Sequence, residues 1–365
     1  MKKEFFVIIM LLAASLLLAS CNVKNAYSDE AGADSAAVTV GEGKTEDSEE
    51  SKPSDAESDM PQSEKTGKME NARENFNRQS LIADVISDST FEGYGRLIFP
   101  VNTGYYSGNT LESLSLTWYN YIDPDKTVEV VNYMKNQALS GEQIFFDIYS
   151  DEEKEADPEK RNTGLFFFRG NAGEKFAVCN AGGGFSYVGA MHDSFPHALE
   201  LSRMGYNAFA LIYRPGWETA MEDLGRAICF IEDHADELGV DPESYSLWGG
   251  SAGARMAATL GNADHLQFYT GRTDIPGAAA VIMQYTGYSE SSKADAPTYV
   301  CVGTSDGIAN WRTMQNRLQV LESYGIPTEF HAYDGLPHGF GLGTGTVAEG
   351  WINDATAFWE EQIEN

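Results

Sequence analysis

The chain reads as an α/β protein: a doubly wound, eight-stranded, mostly parallel sheet with an accessory segment on its N-terminal side. Three observations predict this. First, short apolar runs alternate with stretches of helical spacing from Gln143 to Ile363, and such runs suit strands covered by helices on both faces. Second, 365 residues with 42% hydrophobic side chains suffice for one large α/β domain with extra segments. Third, Gly249-Gly250-Ser251-Ala252-Gly253 joins a short apolar run, Tyr245–Trp248, to a helical stretch, Ala254–Leu260. That is the punctuation of a strand, a tight turn and a helix.

The chain opens with the basic Met1-Lys2-Lys3, followed by an apolar run from Phe5 to Leu18. This is the pattern of a secretory signal and is short for a membrane span. The run ends in Leu18-Ala19-Ser20-Cys21, which resembles a bacterial lipobox. The resemblance implies that residues 1–20 are removed and that Cys21 carries a lipid, anchoring an exported protein without a spanning helix. Residues 22–75 are rich in Ser, Glu, Asp, Gly and Ala, with Tyr27 as their only aromatic. They bury too little apolar surface to offset their ordering entropy and read as a disordered acidic tether. The net charge of −30 argues against nucleic acid and against an electrostatic grip on anionic lipid, so the lipid anchor is the only membrane contact expected.

Residues 76–141 read as an N-terminal accessory segment. Arg96–Val101 has the composition of a strand, and Lys126–Ala138 has helical spacing. The stretch between them is aromatic, with Tyr105, Tyr106, Trp118, Tyr119 and Tyr121. These rings either cover the mouth of a pocket or pack against the core, and core packing is expected for most. Residues 142–365 form the main domain. Its strands are expected at Gln143–Tyr149, Gly164–Arg169, Phe176–Asn180, Asn207–Tyr213, Tyr245–Trp248, Ala278–Tyr285, Thr298–Gly303 and Thr328–Tyr333, the first two antiparallel. Helices are expected near His197–Met204, Thr219–Leu238, Trp311–Tyr324 and Ala348–Ile363. Cys179, Cys229 and Cys301 cannot all pair and show no metal-ligand spacing, so they read as buried free thiols.

In sheets of this kind ligands bind at the carboxyl ends of the strands. Ser251 sits there, at a glycine-flanked bend that lifts its hydroxyl clear of the sheet. An ordinary serine in a glycine-rich turn is the plainer alternative for that pattern. As a nucleophile Ser251 needs a base, and His338, in Gly335-Leu336-Pro337-His338-Gly339-Phe340 after the eighth strand, is the leading candidate. His331, inside that strand, is weaker; His192 and His197 border the region. Asp306, after the seventh strand, would orient the imidazole, with Asp334 as runner-up. Asn180-Ala181-Gly182-Gly183-Gly184-Phe185 follows the third strand and offers bare amides, so Gly183 and Gly184, with Ala252, are the expected oxyanion donors. A phosphate loop is the other use of such a glycine run, but no Lys-Ser/Thr follows it.

The order Ser251, Asp306, His338, at the ends of the fifth, seventh and eighth strands, resembles the α/β-hydrolase superfamily. Within it, the chain is most similar to the hormone-sensitive-lipase-like and bacterial carbohydrate-esterase branches, in an exported lipoprotein form. The glycine run resembles their His-Gly-Gly-Gly motif with Ala181 in place of the His, and Tyr213-Arg214 resembles the Tyr-Arg pair after their fourth strand. The resemblance implies serine-dependent hydrolysis of small carboxylic esters, acetyl or feruloyl groups on carbohydrate among them, with no metal or organic cofactor. A serine peptidase and a non-catalytic, ligand-binding surface lipoprotein remain the alternative readings.

Overall fold

The structure, a computed structural model, describes residues 74–364. The signal, Cys21 and nearly all of the tether therefore lie outside the described residues. One eight-stranded sheet organises the rest: β1 (Phe145–Phe146), β2 (Gly164–Phe168), β3 (Lys175–Asn180), β4 (Asn207–Ile212), β5 (Asp241–Gly250), β6 (Ala280–Gln284), β7 (Thr298–Gly303) and β8 (Thr328–Tyr333). Their order across the sheet is β8-β7-β6-β5-β3-β4-β2-β1. The pairs β1–β2 and β2–β4 are antiparallel and all others are parallel. The expected doubly wound, mostly parallel sheet is what the chain forms.

Its inner strands are largely apolar because both faces are covered. Every residue of β2, β4, β6 and β7 is buried. Covering helices follow the same logic: along Trp217–Asp233, Ala220, Met221, Leu224, Ala227, Ile228 and Ile231 are buried, three or four residues apart on one face. The predicted helix Thr219–Leu238 ends earlier than expected, at Asp233, and a separate turn, Ala235–Leu238, completes the stretch. Cys179 and Cys301 are buried in β3 and β7, Cys229 is half-buried, and all three thiols are free.

The expected strand at Arg96–Val101 does not form. Gly95–Leu97 is a single 3-10 turn instead, and Leu97, Ile98 and Phe99 are all buried around it. A short helix, Ile82–Ile86, and a long one, Pro124–Leu139, lie in this part of the chain; the long one opens on a side-chain cap. It starts where Asp123 accepts from the amides of Asp125 and Lys126, with Pro124 in its first turn. Its buried Lys135 reaches back to Asp88 at 2.9 Å and to the Glu74 carbonyl at 2.8 Å. Tyr94 stacks on Phe145 of β1 with ring centroids 4.8 Å apart. Tyr119 is buried, while Trp118 is 51% and Tyr121 67% exposed.

Candidate active site

β3 has β4 on one side and β5 on the other. The chain leaves β3 for β4 and then crosses back over β3 to enter β5, which opens a crevice at the carboxyl ends of β3 and β5. Both glycine-rich turns empty into it. Ser251 follows β5 with φ 53° and ψ −113°, a strained conformation for a residue bearing a side chain. The neighbouring glycines make that bend possible. A Cβ on Gly249 would overlap the backbone of Gly253, and one on Gly253 would overlap the carbonyl of Asn180. The helix Ala252–Leu260 starts directly at the bend, so its N-terminal end adjoins Ser251.

His338 Nε2 lies 3.1 Å from Ser251 Oγ, and its Nδ1 lies 2.8 Å from Asp306 Oδ2. The second oxygen of Asp306 accepts from the amides of Ile308 at 2.8 Å and Ala309 at 2.7 Å. The Asp306 side chain is fully buried and thus fixed by three donors. Since a carboxylate only accepts, Nδ1 of His338 carries the proton and Nε2 is left to accept from the serine hydroxyl. Tyr285 packs edge-on to His338 at 5.1 Å between ring centroids.

The other candidates fall elsewhere. Asp334 accepts from Thr304 Oγ1 at 3.0 Å. His331 pairs with Glu329 at 2.5 Å and stacks on Tyr299. His192 donates from Nε2 to the Gly339 carbonyl at 2.9 Å, one residue beyond His338. His197 is buried beside Trp351, and burial lowers its pKa from the ordinary 6.5 to about 4.

The loop after β3 runs beside the serine. The amides of Gly183, Gly184 and Ala252 donate to no acceptor among the described residues, and Gly183, Gly184 and Ser251 line one cavity. Gly183 and Gly184 have φ of 125° and 60°, values that open the loop to glycine above all. The loop is tied down at its start: the Tyr213 hydroxyl donates to the Ala181 carbonyl at 2.7 Å, and the Gly182 amide donates to Asp193 at 3.1 Å. Arg214 braces the end of β4 through Asp223 at 2.8 Å and Asp157 at 2.7 Å.

The cavity measures about 260 Å³ and is lined by Trp118, Tyr119, Gly183, Gly184, Ser251, Ile308 and His338. A nucleophile with a base, a fixed carboxylate behind the base, and free amides facing the same space can together carry an acyl transfer. Among the described residues no cluster of three or more His, Cys, Asp or Glu side chains could hold a metal ion. Sequence reasoning placed Trp118 and Tyr119 only as members of an aromatic stretch and did not single out Asp193 or Tyr285. The one available signal for Asp193 was a carboxylate inside Ala190-Met191-His192-Asp193-Ser194-Phe195, a run otherwise poor in charge.

Residues 173–313 match the BD-FAE family model, a span that takes in Ser251 and Asp306 and stops short of His338. No curated protein matches the chain. Among solved structures, the chain is similar to the acetyl ester-xyloside bifunctional hydrolase from Caldicellulosiruptor lactoaceticus, with a TM-score of 0.51 and 18% identity over 60% of this chain and 95% of that one. It is also similar to propionate-bound esterase 2 from Thermogutta terrifontis, with a TM-score of 0.45 and 20% identity over 55% of this chain and 89% of that one. The first of these likenesses is one of fold: the sheet and its flanking helices are those of the α/β-hydrolase fold.

Proposed function

We propose that the protein is a serine-dependent hydrolase of small carboxylic esters. The observation that carries this reading is the hydrogen-bonded chain from Ser251 through His338 to Asp306, set against free amides in a single cavity. Ser251 Oγ attacks the acyl carbon while His338 Nε2 takes its proton. The carbonyl oxygen becomes an oxyanion held by the amides of Gly183, Gly184 and Ala252, where one lost donor costs about 2.7–4 kcal/mol of transition-state stabilisation. As the tetrahedral species collapses, the ester C–O bond breaks and the alcohol leaves with the proton from Nε2. Water, deprotonated by the same nitrogen, then attacks the acyl-serine. Release of the carboxylic acid restores Ser251. The Asp306 carboxylate stabilises the imidazolium at each stage.

The size and apolar walls of the cavity favour a short acyl group. Acylated carbohydrate is the substrate class we propose, with Trp118 offering a flat, half-exposed face to the alcohol. Hydrolysis of p-nitrophenyl acetate, butyrate and octanoate tests the reading, measured beside Ser251→Ala. Turnover that falls with chain length and vanishes in the variant supports it, and acetylated xylan is the next substrate. Absence of turnover on every ester, or equal turnover by Ser251→Ala, rejects it; a peptide-substrate screen then tests the peptidase alternative.

We also propose that the mature chain is exported and held to a bacterial membrane by a lipid on Cys21. The basic start, apolar run and Leu18-Ala19-Ser20-Cys21 support this. Cys21→Ser is expected to move the protein from the membrane fraction to the soluble fraction; retention in the membrane fraction would refute the anchor.

A further inference from the structure

Three glycines adjoin the reacting groups of the site: Gly182 precedes the oxyanion amides, Gly250 precedes Ser251, and Gly339 follows His338. None of the three abuts empty space. A Cβ on Gly182 would lie 2.5 Å from the Tyr119 hydroxyl and 2.6 Å from Asp193 Oδ2. One on Gly250 would lie 2.7 Å from Asp193 Oδ2. One on Gly339 would lie 2.8 Å from the Tyr119 ring. Two side chains thus fill the space that these glycines leave, one touching Gly182 and Gly339, the other Gly182 and Gly250.

The two are joined. The Tyr119 hydroxyl donates to Asp193 Oδ2, which also accepts the Gly182 amide at 3.1 Å, and Tyr285 donates to Oδ1 at 2.6 Å. Asp193 is 1% exposed, and a carboxylate so deeply buried is held only when donors surround it. Burial and the neighbouring carboxylate push the Tyr119 and Tyr285 hydroxyls well above the ordinary tyrosine range, which keeps both as donors. The carboxylate has no contact with the reacting atoms on these observations; it holds the peptide that carries them.

We infer that Tyr119 and Asp193 form a buried positioning pair that sets the Gly183–Gly184 amides against Ser251, which makes the segment preceding the sheet an integral part of the active site. The inference rests on the esterase reading above. Loss of the Tyr119 hydroxyl removes one of the donors that hold Asp193 against the Gly182 amide, without touching the bonds from His338 to Asp306 and Ser251. For Tyr119→Phe, kcat on p-nitrophenyl acetate is expected to fall about 10- to 100-fold. KM should stay within about threefold, as expected when only transition-state stabilisation is lost. The acid limb of the kcat/KM pH profile, which reports the base, should not move.

Asp193→Asn keeps the side-chain volume and an oxygen for the Gly182 amide, and carries the same test should Tyr119→Phe not fold; a kcat loss of the same order is expected. A folded variant with unchanged kcat, or a loss accompanied by a displaced acid limb, overturns the pair. Ser251→Ala, assayed alongside, separates the two levels. If it is inactive while Tyr119→Phe is unimpaired, only the positioning pair falls. If it is fully active, the esterase reading falls and takes the pair with it.

Discussion

The two walls of the site differ in origin. One is built from strand ends: Ser251 after β5, Asp306 after β7 and His338 after β8, with Gly183 and Gly184 after β3. The other is Trp118 and Tyr119, from chain that precedes the sheet altogether. The first wall carries the groups proposed to form or break bonds, each in the connection that follows its strand. The second carries no reactive group. It supplies shape and support, and its residues reach the site by tertiary packing alone. The strand-end wall is therefore sensitive to chemical substitutions of a single atom, whereas the donated wall responds to changes in volume and anchoring.

Substitutions in the two walls should therefore differ in effect. The largest effect belongs to the strand-end wall. Asp306→Asn preserves shape but removes the acceptor that fixes the His338 tautomer, and kcat should fall about 10⁴-fold with little change in KM. A loss under about tenfold in steady-state kinetics would mean that the carboxylate does not orient the base. Gly250→Ala lies where the walls meet, because its new Cβ must displace Asp193. A kcat loss of about 10²-fold is expected from the shifted loop, and full activity would show that the walls are independent.

The helix Phe195–Arg203, directly after Asp193, carries His197, which is buried and held neutral by its surroundings. Its folded pKa is depressed, so between about pH 6.5 and about pH 4 the unfolded chain binds a proton that the folded chain does not. Stability therefore falls as pH drops through this window, by about 3 kcal/mol from this group. Urea melts across the window, compared with His197→Gln, measure it; equal slopes in both proteins would contradict the assignment. The smallest effect is expected for Trp118→Ala, which opens the cavity without touching the relay. It should raise KM for a short ester about tenfold or less while kcat changes little. A collapse of kcat would place Trp118 among the supporting residues rather than in the wall.

The strand-end wall was legible in the sequence because its signals are local. Glycines at 249 and 253 bracket a serine between an apolar run and a helix, and steric overlap at both positions explains the need for them. The sheet was legible for a similar reason, since doubly covered strands such as Ala280–Gln284 read as short apolar runs. Arg96–Val101 misled because burial on an irregular turn uses the same residue types as burial in a strand. Tyr119 and Asp193 were not legible as a pair. They are separated by 74 residues, and neither shows its partner in its own neighbourhood. Only the fold brings a tyrosine from before the sheet against a carboxylate from after β3.

Irreversible labelling asks whether Ser251 is the nucleophile. The protein is treated with a fluorophosphonate, residual esterase activity is followed, and the adduct is located by peptide mass spectrometry. One adduct per chain is expected, on Ser251, with activity lost in proportion to labelling. Activity that survives complete labelling, or inactivation with the adduct on another residue, would contradict it.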